Sequence, residues 1–194
     1  YITNHSTGKM GYAIAKVCMR RGANVTLVSG PSMLEHPEFI DFVPVTTARE
    51  MFEEVTGRAP EQDIIIKAAA VADYRPRNVS SEKVKKREGE LVLEMERTDD
   101  ILSWLGSHKR PGQFLCGFSM ETENVLENSR KKLRKKNVDM IAANSLKTEG
   151  AGFGGDTNVI TIITEDGEVS LDKMTKEEAA SKLMDQIMKR RTAE

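Results

Sequence analysis

The apolar residues of this chain follow two different periods, and the alternation between them predicts an alternation of helices and strands. In residues 8–21 apolar side chains recur at intervals of three and four, which predicts one buried face of an amphipathic helix. The positions on this face are Met10, Ala13, Ile14, Val17 and Cys18. Gly22 follows as the expected C-terminal stop.

Short apolar runs with turn residues between them predict the strands, and charged amphipathic segments predict the remaining helices. The predicted strands are residues 24–29, 40–45, 63–70, 91–95, 113–118, 138–143, 158–164 and 168–171, the last two joined as a hairpin. The predicted helices after the first are residues 46–56, 98–105, 121–136 and 175–188, capped at Thr46 or Thr47, at Thr98 or Asp99, and at Thr175. This order indicates an α/β fold with a mostly parallel sheet, with the most apolar strand, residues 63–70, at its centre.

Composition favours a soluble, intracellular protein. The chain has 194 residues, 39% apolar and 30% charged, with a formal net charge of -1, so no global field attracts nucleic acid or a membrane. No run reaches the roughly 20 apolar residues of a membrane span. Cys18 and Cys116 lie among apolar neighbours, which favours reduced thiols over a disulfide and a cytoplasmic location.

The strongest chemical signal is the glycine-containing segment at residues 4–11, Asn-His-Ser-Thr-Gly-Lys-Met-Gly. Such a loop at the N-terminus of a helix presents backbone N–H groups and the positive end of the helix dipole to a phosphate. A phosphate loop of this kind normally follows a strand, and no strand precedes it in this sequence. We therefore expect a single domain over residues 1–194 that lacks its first strand and belongs to a longer polypeptide.

Several polar or small residues fall at the carboxyl ends of predicted strands, where ligands bind in parallel sheets. These are Ser29 and Gly30, residues 69–74, Gly117 and Phe118, and Ala143 and Asn144. Together with the glycine loop they are expected to converge on one rim of the sheet. This convergence predicts a ligand site better than any one of the motifs does.

Each of these features also has a structural interpretation, and the residues alone leave both open. Asp73 is either a turn residue or an acceptor for a substrate group, and Phe118 either core or a stacking surface for a base. Lys83, Lys85, Lys86 and Arg87 form either a solvated charge run or a mobile loop that closes over a triphosphate. The cations of the basic stretch 130–136 either only interact with the negative end of the helix dipole, or some of them also point to the rim. The three histidines show no metal-site spacing, and His5 is favoured as scaffold.

Taken in order, these motifs resemble the phosphopantothenoylcysteine synthetase family. The resemblance rests on residues 4–11, on residues 69–74 (Ala-Ala-Val-Ala-Asp-Tyr), on Lys-Val-Lys-Lys at 83–86, on Gly117-Phe118 with the basic helix, and on residues 153–158. It spans essentially the whole chain. The family implies a Rossmann-like three-layer fold with a small antiparallel extension used in dimerisation.

The resemblance also implies a reaction. The family joins 4′-phosphopantothenate to cysteine through an acyl-cytidylate formed from CTP, with release of pyrophosphate and then CMP, and requires Mg²⁺; eukaryotic relatives use ATP. In many bacteria this ligase is the C-terminal half of a bifunctional protein whose other half, a decarboxylase that binds FMN, is not in this chain. The resemblance further implies a cytoplasmic homodimer with sites near the interface.

Carried over by position, the resemblance assigns roles to named residues. Asn4 and Lys83 are the expected catalytic residues, with Lys83 in the mobile loop. The expected substrate contacts are Asn4, Ala69, Ala70 and Asp73. The expected nucleotide contacts are Ser6, Gly8, Gly11, Asp73, Lys83, Asp99, Asp100, Ile101, Leu102, Phe118, Lys132, Lys136 and Asn144. The sequence Thr-Asp-Asp-Ile at 98–101 departs from the Asn-Pro-Asp-Ile of many relatives, and no metal ligand is assigned.

Two other functions compete with this interpretation. A nicotinamide-dependent reductase would share the glycine loop, and Tyr12 and Lys16 have its Tyr-x-x-x-Lys spacing, but they lie in the first helix. Such an enzyme usually has an acid after its second strand, where this chain has Ser29-Gly30-Pro31. A non-catalytic nucleotide-binding module is the other alternative, and the presence of both Asn4 and Lys83 favours the ligase.

Overall fold

The computed structural model describes residues 4–80, 82–83, 85, 92–121, 124–145 and 154–191. Its helices are α1 (Lys9–Arg20), α2 (Ala48–Arg58), α3 (Ile101–Ser107), α4 (Val125–Lys135) and α5 (Lys176–Arg191), and a 3₁₀ turn, Ala59–Glu61, follows α2. Its strands are β1 (Thr26–Ser29), β2 (Asp41–Pro44), β3 (Ile64–Lys67), β4 (Tyr74–Pro76), β5 (Met95–Arg97), β6 (Phe114–Glu121), β7 (Met140–Ser145), β8 (Thr157–Asn158), β9 (Thr161–Thr164), β10 (Gly167–Ser170) and β11 (Met174–Thr175).

The central sheet has the strand order β10-β9-β7-β6-β3. Strands β3, β6 and β7 are parallel, whereas β9 runs antiparallel to both of its neighbours, β7 and β10. Strands β1 and β2 form a separate parallel pair, and β4–β5 and β8–β11 are small antiparallel pairs. The predicted α/β class, with a mostly parallel sheet and small antiparallel additions, is confirmed.

The two faces of the sheet are covered by different helices. On one face, α1 and α5 pack against Phe114, Cys116, Met140 and Ala142. On the other face, residues of α2, α3 and α4 pack against Leu115 and Ile141. Because side chains alternate along a strand, Ile64 and Ile66 of β3 belong to the first cluster and Ile65 to the second. The layers are therefore helix, sheet and helix.

The predicted central position of residues 63–70 is wrong, because β3 is an edge strand of the five-stranded sheet. Its second edge faces a cavity that is also lined by residues of β1. Apolar residues on a strand report that its two faces are covered, and they carry no information on whether both edges are paired. Its isoleucines are accordingly only half-buried.

Most local predictions are close to the observed elements, with shifts at their ends. The capping boxes at Thr47–Glu50 and Thr175–Glu178 are formed, and Gly22 takes a positive φ of 85° after α1. The strand predicted at 91–95 is displaced to β5, and α4 begins only after Asn124. Met188, predicted on the buried face of the last helix, is 42% exposed. Of the loops predicted at 79–87 and 145–156, residues 81, 84, 86, 87 and 146–153 lie outside the described residues.

A tight contact fixes the distance between α3 and α4. A Cβ atom at Gly106 would lie 1.7 Å from the carbonyl oxygen of Lys136, so only glycine fits there. The side-chain amide of Asn137 in turn donates a hydrogen bond of 2.8 Å to the carbonyl of Gly106. Asn137 adopts a positive φ of 50°, which asparagine tolerates better than most residues.

Both cysteines are free thiols, as predicted. Cys116 is buried in the core, and burial raises its pKa to about 12. Within the described ranges, every helix is too short or too polar to cross a bilayer.

Candidate nucleotide-binding site

A continuous cavity of about 2150 Å³ runs along the whole length of β1 and β3, reaches Phe118 and Asn144 at the carboxyl halves of β6 and β7, and is lined by most of the predicted site residues. Of those residues, the ones that line it are Asn4, Ser6, Gly8, Gly11, Ala69, Ala70, Asp73, Ile101, Phe118, Lys132 and Asn144. The predicted site residues Lys83, Asp99, Asp100, Leu102 and Lys136 are not among its lining residues. The expected convergence of the strand ends is thus observed for the first set.

The glycine loop ends at the N-terminus of α1, as the sequence predicts. Gly8 is the N-cap residue with a positive φ of 81°, which glycine adopts without the steric cost of a Cβ atom. No side chain caps this helix end, and no acidic residue lies in its first turn. The positive end of the helix dipole is therefore not compensated by a carboxylate of the helix itself.

Lys9 ties this loop to a second glycine-containing segment. Its ammonium group donates to the carbonyl of Gly154 at 3.0 Å and forms an ion pair with Asp156 at 2.7 Å. The hydrogen bond from Lys9 lowers the pKa of the Asp156 carboxyl below its usual range. The predicted family motif at 153–158 is thereby held against the start of α1, although residue 153 itself lies outside the described residues.

Asn4 connects the glycine loop to the segment that follows β3. Its side-chain Nδ2 atom donates a hydrogen bond of 3.0 Å to the carbonyl oxygen of Ala70. The side chain is exposed and lines the cavity. The Asn4 amide therefore donates within the protein, and this bond positions the loop beside Ala70.

Asp73 is exposed at the rim, while its backbone is held in place. Its carbonyl accepts a hydrogen bond of 3.0 Å from the N–H of Thr98, and the Thr98 hydroxyl donates to the carbonyl of Ala72 at 2.6 Å. Because Thr98 makes these contacts, the predicted cap of α3 at Thr98 or Asp99 is wrong. Asp100 is the N-cap, with its carboxylate accepting from the N–H of Ser103 at 2.9 Å.

The basic helix α4 divides its cations between two directions. Arg130 and Arg134 pair with Glu168 and Glu165 of the β9–β10 hairpin at 2.7 and 3.1 Å. On the other side, Lys136 forms an ion pair with Asp100. Lys132 donates to the carbonyl of Phe118 at 2.8 Å. Cations of one helix therefore face both the hairpin and the rim, as one of the two sequence interpretations predicted.

Burial opposes ionisation of Asp100, but the hydrogen bonds from Lys136 and from the N–H of Ser103 outweigh it and lower the pKa of the carboxyl. Asp100 is therefore ionised at neutral pH and acts as a partner of Lys136. Ile101 and Leu102 follow it with side chains only 3% exposed in the core. Of the two, Ile101 lines the cavity.

Two residues at the rim have features that favour a polar ligand. Asn144 at the end of β7 is only 5% exposed, and within the described residues its Oδ1 atom has no hydrogen-bond donor. A buried acceptor without a donor is costly and is a common sign of an absent ligand or water. Phe118 is half-buried against the α1–α5 side of the core, with the rest of its side chain facing the cavity.

The predicted mobile-loop lysine, Lys83, is exposed, and the structure does not place it at the cavity. Lys86 and Arg87 of the same run lie outside the described residues. Among the described residues, no group of three or more histidine, cysteine, aspartate or glutamate side chains is arranged to hold a metal ion.

Lys67 is the functional candidate that the sequence analysis did not single out. It ends the Ile-Ile-Ile run of β3 and lines the cavity. The available signal was a single cation placed at the carboxyl end of an otherwise apolar strand, and the apolar run itself drew attention to packing.

The residue pair expected in a reductase is not assembled. Tyr12 is 5% exposed, and its hydroxyl lies 3.3 Å from the hydroxyl of Ser29. Lys16 is exposed and is absent from the residues described as lining the cavity. These two side chains therefore do not face a common ligand position.

Comparison with known proteins gives a consistent result along the whole chain. The family model for the DNA/pantothenate metabolism flavoprotein C-terminal domain matches residues 1–191. The coenzyme A biosynthesis bifunctional protein CoaBC of Bacillus subtilis is 45% identical over 189 residues, which are 96% of this chain and 46% of that protein. The CoaBC protein of Escherichia coli K12 is 43% identical over 193 residues, 98% of this chain and 48% of its own length. The chain thus spans about half the length of these curated relatives.

Solved structures agree with this result. The crystal structure of the C-terminal domain of a CoaBC protein superposes with a TM-score of 0.84 at 42% identity, covering 100% of this chain and 87% of its own. A Cab2 mutant in complex with phosphopantothenate-cysteine has a TM-score of 0.77 at 16% identity, covering 99% of this chain and 80% of its own, which shows a common fold.

Proposed function

Because the chain belongs to the family of DNA/pantothenate metabolism flavoprotein C-terminal domains, we propose that it is a ligase of coenzyme A biosynthesis that joins 4′-phosphopantothenate to L-cysteine. CTP is the proposed activating nucleotide. The observation that carries the proposal is the single cavity that unites the glycine loop, the 69–73 segment, Phe118 and Lys132 at one rim.

The proposed chemistry has two steps. The substrate carboxylate attacks the α-phosphorus of CTP, pyrophosphate leaves with the electrons of the broken bond, and an acyl-cytidylate results. The amine of cysteine then attacks the acyl carbon, loses a proton and displaces CMP to form the amide. Both steps develop negative charge on phosphate or acyl oxygens, so positioning and preorganised donors account for most of the acceleration.

The described residues divide this work between them. The uncapped N-terminus of α1, with Ser6, Gly8 and Gly11, suits a phosphate group. Asn4 holds the glycine loop against Ala70 and keeps the two segments at a fixed distance around the substrate. Lys132 and Lys136 supply positive charge on the α4 side, with Asp100 keeping Lys136 in place. Phe118 offers a stacking surface for the base, and Asn144 an acceptor for a ligand donor.

The proposed requirement for Mg²⁺ fits the residues that are present. Mg²⁺ in such enzymes is commonly held by one or two carboxylates together with substrate phosphates. Asp73 is an exposed carboxylate at the cavity rim and is the residue that would hold it, where the ion would offset charge on the nucleotide phosphates. FMN belongs to the proposed decarboxylase half of a bifunctional protein and has no role in this domain.

We also propose a homodimer formed through the ribbon of β4 and β5. This ribbon and its neighbouring residues expose several apolar side chains: Tyr74 at 48%, Val79 at 83%, Val92 at 79% and Leu93 at 56%. A cluster of exposed apolar side chains is typical of an interaction surface. The dimer would place the ribbon and the Lys83 loop near a second cavity. We place the reaction in the cytoplasm, which the two free thiols favour.

The deciding experiment incubates the folded chain with 4′-phosphopantothenate, cysteine, Mg²⁺ and either CTP or ATP. We expect pyrophosphate and the amide product in equal amounts with CTP. Omission of cysteine should leave the acyl-cytidylate, detectable by mass spectrometry. Binding of CTP without pyrophosphate release would instead identify a non-catalytic nucleotide-binding module. Pyrophosphate release with ATP alone would show that ATP, and not CTP, is the activating nucleotide.

A further inference from the structure

Lys67 occupies an unusual place for a lysine, at the carboxyl end of β3 beneath the rim. It pairs in parallel register with Gly117 of β6. Because side chains alternate along the strand, Lys67 lies on the same face as Ile65, whose side chain packs with the core on the side of α2, α3 and α4. The stem of Lys67 is therefore directed to the face on which α4 presents its rim cations.

The charged groups that face Lys67 come from three segments. They are Lys132 and Lys136 of α4, Asp100 at the start of α3, and Asp73 after β3. Asp100 already accepts from Lys136 and from the N–H of Ser103, and Asp73 is exposed to solvent. Within the described part of the chain, the amine of Lys67 forms no ion pair within 4.0 Å and no hydrogen bond.

This arrangement costs stability in the ligand-free protein. Burial, and then the nearby charge of Lys132, lower the pKa of the Lys67 ammonium below that of an ordinary lysine. A fourth apolar residue after Ile64, Ile65 and Ile66 would continue the strand without this desolvation cost. Perturbed ionisable groups without a local partner are concentrated at binding and catalytic sites. An anionic ligand between Lys67 and Lys132 would offset the cost.

We propose that Lys67 is a further nucleotide-binding residue, which together with Lys132 and Lys136 forms a three-lysine site for the polyphosphate on the α3–α4 side of the sheet. This inference deepens the proposed CTP-dependent activation and rests on it. In this site Lys67 approaches the phosphates from the sheet, whereas the other two lysines approach them from the helix. The ammonium group of Lys67 becomes fully compensated only when the polyphosphate is bound.

The first test measures binding by calorimetry with Mg²⁺ present, using CTP and, separately, inorganic tripolyphosphate. The variants are Lys67→Met, Lys67→Gln and Lys67→Arg, with Lys135→Met as the matched control, since Lys135 is an exposed cation of α4 that is not among the residues lining the cavity. We expect Lys67→Met and Lys67→Gln to weaken binding of both ligands about tenfold or more, as for the loss of one charged hydrogen bond. Lys135→Met should change either affinity less than about twofold.

The second test separates a binding role from a packing role by thermal unfolding of the ligand-free protein. The folded-state pKa of Lys67 is lowered, so the ammonium destabilises the fold at neutral pH, and this destabilisation fades as pH rises towards the ordinary lysine pKa. We therefore expect Lys67→Met to raise the melting temperature at pH 7 while weakening ligand binding. The gain should shrink at alkaline pH.

The third measurement is the pH profile of tripolyphosphate binding. Wild-type affinity should fall at a lower pH than that of Lys67→Arg, because the guanidinium keeps its charge. Unchanged tripolyphosphate affinity in Lys67→Met and Lys67→Gln would overturn the proposal. A lowered melting temperature in both variants, together with weaker binding, would also overturn it, because it would indicate a packing role. Absence of tripolyphosphate binding in the wild type would overturn it too, whereas Lys67-dependent binding without ligase activity would count only against the proposed reaction.

Discussion

At the scale of single residues, Asn4 links two parts of the site that are far apart in sequence. Its amide donates to the carbonyl of Ala70, and the glycine loop follows it directly. A side chain in this position fixes the distance between the phosphate loop and the segment that carries Asp73. Its identity as an amide matters because a carboxylate of the same shape cannot donate and would repel phosphate.

We therefore predict that Asn4→Asp lowers kcat/KM of the ligase reaction about 100-fold, comparable to the loss of one preorganised donor in other active sites. The measurement is initial-rate kinetics with pyrophosphate detection. His5→Gln is the control, since His5 is an exposed neighbour predicted to be scaffold. A reduction of similar size in the control, or normal activity of Asn4→Asp, would contradict the assigned role.

Local rules predicted residue roles well where the partners are near in sequence. The capping box of Thr47 and Glu50 and the positive φ of Gly8 depend on a few consecutive residues. The cap of α3 was missed because Thr98 is engaged by Ala72, a contact across 26 residues that delays the helix until Asp100. Lys67 was missed for a similar reason, since the charges that act on it come from residues distant in sequence, among them Lys132.

At the scale of elements, the segment that contains Lys83 is separate from the rigid rim. Lys83 is exposed, and the ribbon strands β4 and β5 connect its segment to the site through Tyr74 and Arg97, which are paired in register. In the reaction proposed above, a cation on this segment would approach the triphosphate when substrates bind and neutralise the charge that develops on it.

We predict that Lys83→Gln slows formation of the acyl-cytidylate about 100-fold or more while leaving the melting temperature within about one degree, because the side chain is exposed. Single-turnover measurement of pyrophosphate release provides the rate. Lys85→Gln, two positions along the same segment, should have a much smaller effect. Equal rates for Lys83→Gln and the wild type would show that the basic residues of this segment are only a solvated charge run.

The edges of β1 and β3 are the second notable feature at this scale. Both strands line the same cavity, and among the described residues each is paired on one side only, β1 with β2 and β3 with β6. The sequence predicted both strands but placed β3 at the sheet centre, because a pattern of apolar residues does not report edges. The gap between them has apolar walls from Leu27, Val28 and the isoleucines of β3.

We predict that an apolar, extended segment of six residues fused before residue 1 pairs with both edges and raises the melting temperature by about 5 °C or more. Its matched control carries proline at alternate positions of the segment, which removes the donors that pairing needs. Thermal unfolding of both fusions gives the difference. An identical melting temperature for the two would exclude strand pairing in the gap.

At the scale of the whole molecule, the proposed dimer links the exposed ribbon of β4 and β5 to the cavity. The apolar side chains of Val79, Val92 and Leu93 are more exposed than a stable monomer favours, and they flank the segment of Lys83. The fold was predictable from the order of elements, whereas the assembly was implied only by the family resemblance. Periodicity cannot distinguish a solvent-exposed ribbon from one that a second copy covers.

We predict that the wild-type chain is a dimer by analytical ultracentrifugation and that the double variant Val79→Asp, Val92→Asp is a folded monomer with little ligase activity. Charged residues at the centre of an apolar interface are costly to bury, which is the reason for the expected dissociation. Met33→Asp changes another fully exposed apolar side chain, at 102% exposure, and should remain dimeric and active. An active monomer would show that ligase activity does not require the dimer.

The contact between Gly106 and the end of α4 restricts which sequences this domain can acquire during evolution. Any larger residue at 106 would displace the backbone at Lys136 and, with it, the lysine that pairs with Asp100. A larger residue at 106 would therefore disturb the ion pair of Lys136 and Asp100 through the backbone, without contacting either charged group. Position 137 is constrained as well, since its amide donates to the carbonyl of Gly106 and its own backbone has a positive φ of 50°, which favours asparagine or glycine. Gly106 in the core and Asn137 at the surface thus together hold the end of α4, and with it Lys136, in place.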